Sequence, residues 1–243
     1  MTVPASLFPE LPDRWRSGLA VAPVYDLGTD PGREAHAGEV ARLAAALGLD
    51  GIAWAHQVHG AAVREAAAAS LVGPDGEADA LWTDRPGLGV LGRSADCPIV
   101  LVAGRRADGT PLWGMAHASW RSTVAGITTR LLAAMSEAGL ETASLRAVIA
   151  PSAGPCCYEV GEEVRRAALD GLGDRAAAFF LTRGGALYFD LWSANRDALL
   201  RAGAHADAVR VDGRCTICGD GFPSYRRDGA RAGRFGAVMG CSR

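Results

Sequence analysis

The feature that most restricts how this chain can fold is the wide separation of three soft donor groups. They are His59 in H-Q-V-H-G, Cys97 in S-A-D-C and His117 in H-A-S-W-R-S. Two imidazoles and one thiolate suit a borderline-soft ion such as zinc. They leave a fourth coordination position open, as a catalytic metal requires and a structural one does not. No single helix or knuckle spans these positions, so only a folded core can gather them. His59 and His117 each follow an apolar, strand-like run, and Cys97 stands between Asp96 and Pro98 at the edge of another. Small or turn-forming neighbours (Gly60, Pro98, Ala118) leave room for other groups to approach.

A chain of 243 residues, 49% of them hydrophobic, can build such a core. Residues 1–35 are rich in proline and glycine and read as irregular. Apolar residues at helical spacing predict helices over 37–49, 122–139, 161–172 and 191–202. Short apolar runs predict strands at 52–54, 78–83, 88–92, 98–102, 113–116, 146–150 and 209–212. Helices and strands alternate without a regular βαβ repeat. The fold class expected is therefore α/β (α+β), a layered domain with mixed β-sheets flanked by helices. No repeat, low-complexity linker or charge block marks a boundary, so 1–243 reads as a single domain.

Charge narrows the function classes. The formal net charge is −2, which offers no basic face to a nucleic acid. No apolar run approaches the ~18 residues of a membrane span. The N-terminus has neither a basic start nor an apolar h-region, and Pro4 and Pro9 interrupt it, so a cytoplasmic protein with reduced thiols is expected. The six cysteines are then ligands, nucleophiles or small core residues. Cys215 and Cys218 form C-x-x-C, and Cys156 and Cys157 are adjacent. Four such thiols can make a structural zinc site or a redox pair. Adjacent side chains diverge, however, and buried thiols are the expectation. His56 competes with His59 as a ligand, but a continuing strand puts the two on opposite faces. His36 and His205 read as surface residues.

Taken in order, the segments Q-V-H-G (57–60), A-D-C-P (95–98), H-A-S-W-R (117–121), G-P-C-C-Y-E-V-G (154–161), F-D-L-W-S-A-N (189–195), C-T-I-C (215–218) and S-Y-R-R-D-G with G-R (224–229, 233–234) resemble the YfiH family, also called the laccase-domain or multicopper polyphenol oxidase family. The resemblance runs from about residue 47 to 234. It implies a single α/β domain of layered mixed sheets and one zinc ion on His59, Cys97 and His117. It also implies purine nucleoside phosphorolysis, in which adenosine, inosine or methylthioadenosine and phosphate give the base and a ribose 1-phosphate. Adenosine deamination is a second implied activity, and a role in peptidoglycan editing is attached to the family. Gln57, Arg121 and Arg227 are the expected substrate and phosphate contacts, since the guanidinium fork matches a phosphate. Asp96, beside Cys97, is the expected group to orient or deprotonate a water, or to partner a ligand histidine.

The chain also departs from the family. Where members carry H-A-G-W-R-G, this chain has Ser119 and Ser122, and Ala150 replaces a glycine. Glycine there would allow a close approach or an unusual φ, so the serines are expected to narrow or re-aim the loop. A T-R-x-G-G segment near the N-terminus is replaced by R-W-R-S-G, with a shorter spacing to Leu27–Gly28 and with Arg16 as the substitute on offer. Three other functions compete. A copper phenol oxidase needs a type-1 centre and a trinuclear cluster, and five histidines are too few for both, although one His₂Cys centre can take copper, with Met115 as a conceivable axial ligand. A metal-free hydrolase would use Cys97 as nucleophile with His59 or His117 as base. A binding relative that has lost catalysis ranks last, because the donor triad is intact.

Overall fold

Alternation along the central strands decides the architecture. The computed structural model describes residues 7, 8, 11, 14–21, 34–68 and 76–243. In chain order the elements are β1 (Trp15–Ala20), α1 (Glu34–Ala46), β2 (Gly51–Ala53), β3 (Val63–Glu65), β4 (Ala80–Thr83), β5 (Leu88–Ser94), β6 (Ile99–Arg105), β7 (Pro111–His117), α2 (Trp120–Val124) and α3 (Ile127–Glu137). They continue with β8 (Arg146–Ile149), β9 (Glu159–Val160), α4 (Glu162–Leu172), β10 (Phe180–Arg183), β11 (Ala186–Phe189), α5 (Leu191–Arg201), β12 (Val209–Val211), α6 (Tyr225–Asp228) and β13 (Phe235–Cys241).

A six-stranded sheet runs β12-β8-β6-β7-β4-β3 and a four-stranded sheet runs β1-β13-β5-β2. Both mix parallel and antiparallel pairs. On β6, Ile99, Leu101 and Ala103 join the core between the two sheets, while Val100 and Val102 face a second core with α3 and α5. On β13, Ala237 and Met239 face inward, and Val238 faces a third core beneath α1. Both sheets are therefore apolar on both faces, and the layers stack as helix, sheet, sheet, helix. Trp15 and Trp113 meet edge-to-face across the middle at 5.8 Å. Gly92 lets the sheets approach: a Cβ there would lie 2.8 Å from Ile99 Cγ2. A small sheet, β10-β11-β9, packs with α4 in a fourth cluster.

Two expectations need correction. Part of the stretch read as irregular is strand β1, which pairs with β13 over six residues. Proline marked the ends of that stretch, whereas Trp15 and Leu19 fit a pleated, half-buried surface. The helix expected over 122–139 is two helices, because Gly126 takes φ +76° between α2 and α3. The segment around Leu27–Gly28 lies outside the described residues.

Candidate metal and substrate site

His117 is the last residue of β7 and follows Trp113 and Met115 on the face that looks into the space between the sheets. There the core gives way to a cavity of about 400 Å³. The His117 N–H donates to the Asp79 carbonyl (2.6 Å), and Nδ1 lies 2.8 Å from Asp79 Oδ1. Nδ1 is thus committed, and Nε2 is the nitrogen left for a ligand.

Asp79, fully buried just before β4, does more than hold His117. Its oxygens accept the backbone N–H groups of Val58 (3.2 Å), His59 (3.0 Å) and Gly60 (2.7 Å). One carboxylate therefore fixes two donors that lie 58 positions apart in the chain. His59 adopts φ +61°, and Asp96, next to Cys97, adopts φ +96°. Among the described residues these are the two non-glycine positions with positive φ. Backbone strain of this kind persists where surrounding contacts over-determine it, commonly at functional sites.

The ligand atoms of His59, Cys97 and His117 all lie within 4.8 Å of one another. The two imidazoles meet edge-to-face with centroids 5.0 Å apart. Electrostatics match the geometry. Burial alone would raise the Cys97 thiol, but the neighbouring imidazoles of His117 and His59 pull it down to about 7. Burial would lower His117, yet the Cys97 charge and Asp79 lift it to about 9. Burial would also raise Asp79, but the His117 contact and the N–H groups of Gly60 and Val58 hold it below the usual carboxylate range. A thiolate, two imidazoles and a carboxylate orienting one of them form a donor set that fits a zinc-type cation.

The sequence-derived candidates fall in different places. Gln57 lines the cavity, but its amide is locked in a reciprocal pair with the Arg93 backbone, at 2.9 Å each way. Asp96 also lines it. Its carboxylate accepts from Thr216 Oγ1 and from the Arg226 N–H, each at 2.7 Å, and His117 takes Asp79 as its partner instead. Arg121 lies outside the lining, stacked over Trp120 at 4.3 Å. Arg227 also lies outside: its guanidinium donates to the carbonyls of Thr216 and Phe222 and pairs with Asp228. Among the described residues, the arginines at the cavity are Arg93, Arg226 and Arg234. His56 lines the cavity but does not join the donor cluster, and His205 is exposed. The side chain of His36 lies outside the described residues. Met115 packs in the core between the sheets and does not line the cavity. Arg16, offered as an anion contact, reaches toward Gly48 and is not in the lining.

Ser119 and Ser122 have a local explanation. Ser119 has φ −54°, so no glycine conformation is required. Its hydroxyl caps α2 by accepting the Ser122 N–H (3.1 Å), and the two hydroxyls pair at 2.7 Å. The F-D-L-W-S-A-N segment places Leu191 on the cavity wall, and its polar residues are structural. Asp190 caps α5, Trp192 Nε1 donates to Ser152 (2.6 Å), and buried Asn195 ties Thr123 to Thr128.

Sequence reasoning missed Asp79, Tyr158, Arg93 and Arg234. The signal for Asp79 was a lone carboxylate inside the apolar run A-D-A-L-W, since a buried charge must have partners. Arg93 gave the same signal inside the buried strand β5.

The chain as a whole is similar to several known proteins. The family model described as "Multi-copper polyphenol oxidoreductase laccase" matches residues 27–242. A purine nucleoside phosphorylase of Deinococcus radiodurans is 41% identical over 208 residues, covering 84% of this chain and 76% of that protein. The crystal structure of YlmD from Geobacillus stearothermophilus superposes with a TM-score of 0.79 at 27% identity, covering 96% of this chain and 94% of the other. YfiH of Bacillus licheniformis gives 0.77 at 26%, with 95% and 94% covered.

Proposed function

The chain belongs to the multi-copper polyphenol oxidoreductase laccase family, the group of YfiH and YlmD, and from that membership we propose that it is a zinc-dependent purine nucleoside phosphorylase. Its substrates are adenosine, inosine or methylthioadenosine together with phosphate, and adenosine deamination is a second activity of the same cavity. The observation that carries this reading is the cavity itself: about 400 Å³, with the His59, Cys97 and His117 donors and three arginines on its wall. That volume suits a nucleoside-sized ligand.

In phosphorolysis a phosphate oxygen bonds to the sugar C1′, and the C1′–N9 bond breaks. Its electron pair leaves with the base, which takes up a proton. Arg226, Arg234 and Arg93 supply the positive charge that holds the phosphate monoanion or dianion beside C1′. Asp96 acts as a positioning residue, since its carboxylate grips the Arg226 backbone. Tyr158 also lines the cavity. Burial and the neighbouring Cys97 charge push its phenol up, so it stays a neutral donor. His59, Cys97 and His117 would hold the zinc ion, which supplies Lewis acidity and local positive charge when bound.

A second reading rests on a specific feature. The Cys97 thiol held at about 7 beside His117 is also what a metal-free Cys/His hydrolase needs. A cell-wall ester or amide is its substrate class. Copper oxidation of phenols is disfavoured because the chain has five histidines.

The test is phosphate-dependent release of adenine and hypoxanthine from adenosine and inosine by the wild type and Cys97→Ala, with zinc determined on both. Base release lost together with one equivalent of zinc in the variant supports the phosphorylase. Activity on an ester or amide that survives chelation but not alkylation supports the hydrolase.

A further inference from the structure

Four cysteines outside the cavity come together although the sequence gives little reason to expect it. The sulfurs of Cys156, Cys157, Cys215 and Cys218 all lie within 4.8 Å of one another. None of them lines the cavity, and all six cysteines of the chain are free thiols. The expectation of buried thiols is corrected here: Cys156 and Cys218 are exposed, Cys157 is partly so, and only Cys215 is buried.

The adjacent pair converges because it sits in a tight turn. The N–H groups of Cys157 (3.0 Å) and Tyr158 (2.9 Å) both return to the Gly154 carbonyl. In such a turn successive side chains are rotated by roughly 100°, the helical step, instead of the alternating 180° of a strand. Both sulfurs can then face one point. Gly154 is required by a close approach, since a Cβ there would lie 2.6 Å from Trp192. The partner thiols come from a C-x-x-C turn closed by Gly219 N–H on the Cys215 carbonyl (2.9 Å).

Three observations point to a bound cation. Cys156 Sγ and Cys218 Sγ are 3.8 Å apart, far beyond the ~2.05 Å of a disulfide. Four thiolates at Zn–S distances of about 2.3 Å in a tetrahedron stand about 3.8 Å from one another. An iron–sulfur cube distributes its thiolates over several metal atoms and needs a wider cage. The Cys215 sulfur also accepts the Gly154 N–H at 3.3 Å. Backbone donors aimed at a thiolate are what a metal-bound sulfur uses as outer-shell support. Finally, the Arg183 guanidinium donates to the Pro155 carbonyl beside Cys156, positive charge suited to a tetrathiolate dianion.

We propose that Cys156, Cys157, Cys215 and Cys218 bind a second, structural divalent cation of the zinc type, independent of the cavity donors. Binding expels the remaining thiol protons. The ion joins two loops that build the cavity wall. The first continues directly into Tyr158. The second carries Thr216, whose hydroxyl holds Asp96 and whose carbonyl holds Arg227. The ion therefore fixes Tyr158 and the Arg226 helix relative to each other across the cavity.

The test is metal content of the full chain by plasma mass spectrometry, with peptide-resolved alkylation of the native protein. Two zinc equivalents are expected in the wild type and one in Cys97→Ala. In Cys156→Ser/Cys218→Ser the one equivalent retained is that of the cavity. The four thiols of the wild type should resist iodoacetamide until a strong chelator or a mercurial releases the ion. Cobalt(II) loaded into Cys97→Ala should give intense thiolate-to-cobalt absorption of a tetrahedral tetrathiolate. One equivalent in the wild type, with the four cysteines alkylated at the rate of free thiols, overturns the proposal. So does a Cys156–Cys218 disulfide in the intact mass. Because the wild-type measurements need no variant, a serine variant that fails to fold leaves the test standing.

Discussion

Asp79 Oδ1 lies 2.8 Å from His117 Nδ1, and the same carboxylate accepts the backbone N–H of His59. Two cavity donors are thus oriented by one buried side chain. Asp79→Ala should weaken zinc binding by about 10–100-fold, the usual cost of losing a carboxylate behind a ligand histidine. It should also destabilise the fold by about 3 kcal/mol or more, since three backbone N–H groups and an imidazole lose their acceptor in the interior. Competition with a chromophoric chelator and thermal unfolding measure the two effects. Wild-type zinc affinity in a folded Asp79→Ala protein would show that the carboxylate does not orient the ligands.

The paired shifts of Cys97 and His117 give a pH dependence with a definite sign. The Cys97 thiol is lowered to about 7 from 9.0, so its contribution to stability is present above the unfolded value and is lost as pH falls through 7. His117 is raised to about 9 from 6.5, so its contribution is full below 6.5 and is lost as pH rises through 9. Between about 7 and 9 the metal-free protein holds a thiolate–imidazolium pair. Alkylation of Cys97 in that form should therefore reach half its maximal rate near pH 7. Zinc should suppress it, and Asp79→Asn should move the midpoint upward. Cys215 is lowered to a similar value, so the rates must be read peptide by peptide. A Cys97 midpoint at the ordinary thiol value would remove the ion pair from the site.

Arg226 and Arg227 are neighbours with different tasks. Arg226 lines the cavity, with its guanidinium 5.1 Å from the Tyr158 ring and Nη1 on the Glu159 carbonyl, whereas both Nη atoms of Arg227 are spent on loop carbonyls and Asp228. Arg226→Ala should raise the KM for phosphate on the order of tenfold, as expected for loss of a charge-assisted contact. Arg227→Ala should leave that KM nearly unchanged and make the loop around Cys218 more sensitive to limited proteolysis. Steady-state kinetics with phosphate varied separates the two, and equal effects on KM would contradict the assignment.

Legibility of the sequence followed the range of the interaction. His59 and His117 were readable because each follows an apolar run and Cys97 because it precedes one, and the strands around them follow from period-two burial along β6 and β7. Strand β1 was not readable, because its partner β13 lies more than 200 positions away and its flanks are rich in proline. The choice between Arg226 and Arg227 was equally hidden: adjacent, identical residues differ only in which way a four-residue helix turns them. The convergence of the Cys156–Cys157 pair on C-x-x-C depends on one tight turn at Gly154 that the local pattern does not specify. Asp79 was legible in principle, since a carboxylate in an apolar strand must be paired.

The serines that replace family glycines beside His117 should matter for stability rather than for the metal. Both are buried, and their hydroxyls face one another at 2.7 Å instead of the cavity. Ser119→Ala removes the α2 cap and leaves the Ser122 N–H and hydroxyl without that acceptor. The expected loss is about 1 kcal/mol, the typical value for a serine cap, which is a lowering of roughly 2–4 °C in Tm for a domain of this size. Zinc content and KM for the nucleoside should stay at wild-type values, because His117 is positioned from the other side by Asp79. Calorimetry and metal analysis on the same preparation test both halves. A stable Ser119→Ala protein with reduced zinc would mean that the serine pair shapes the metal loop and not just the helix that follows it.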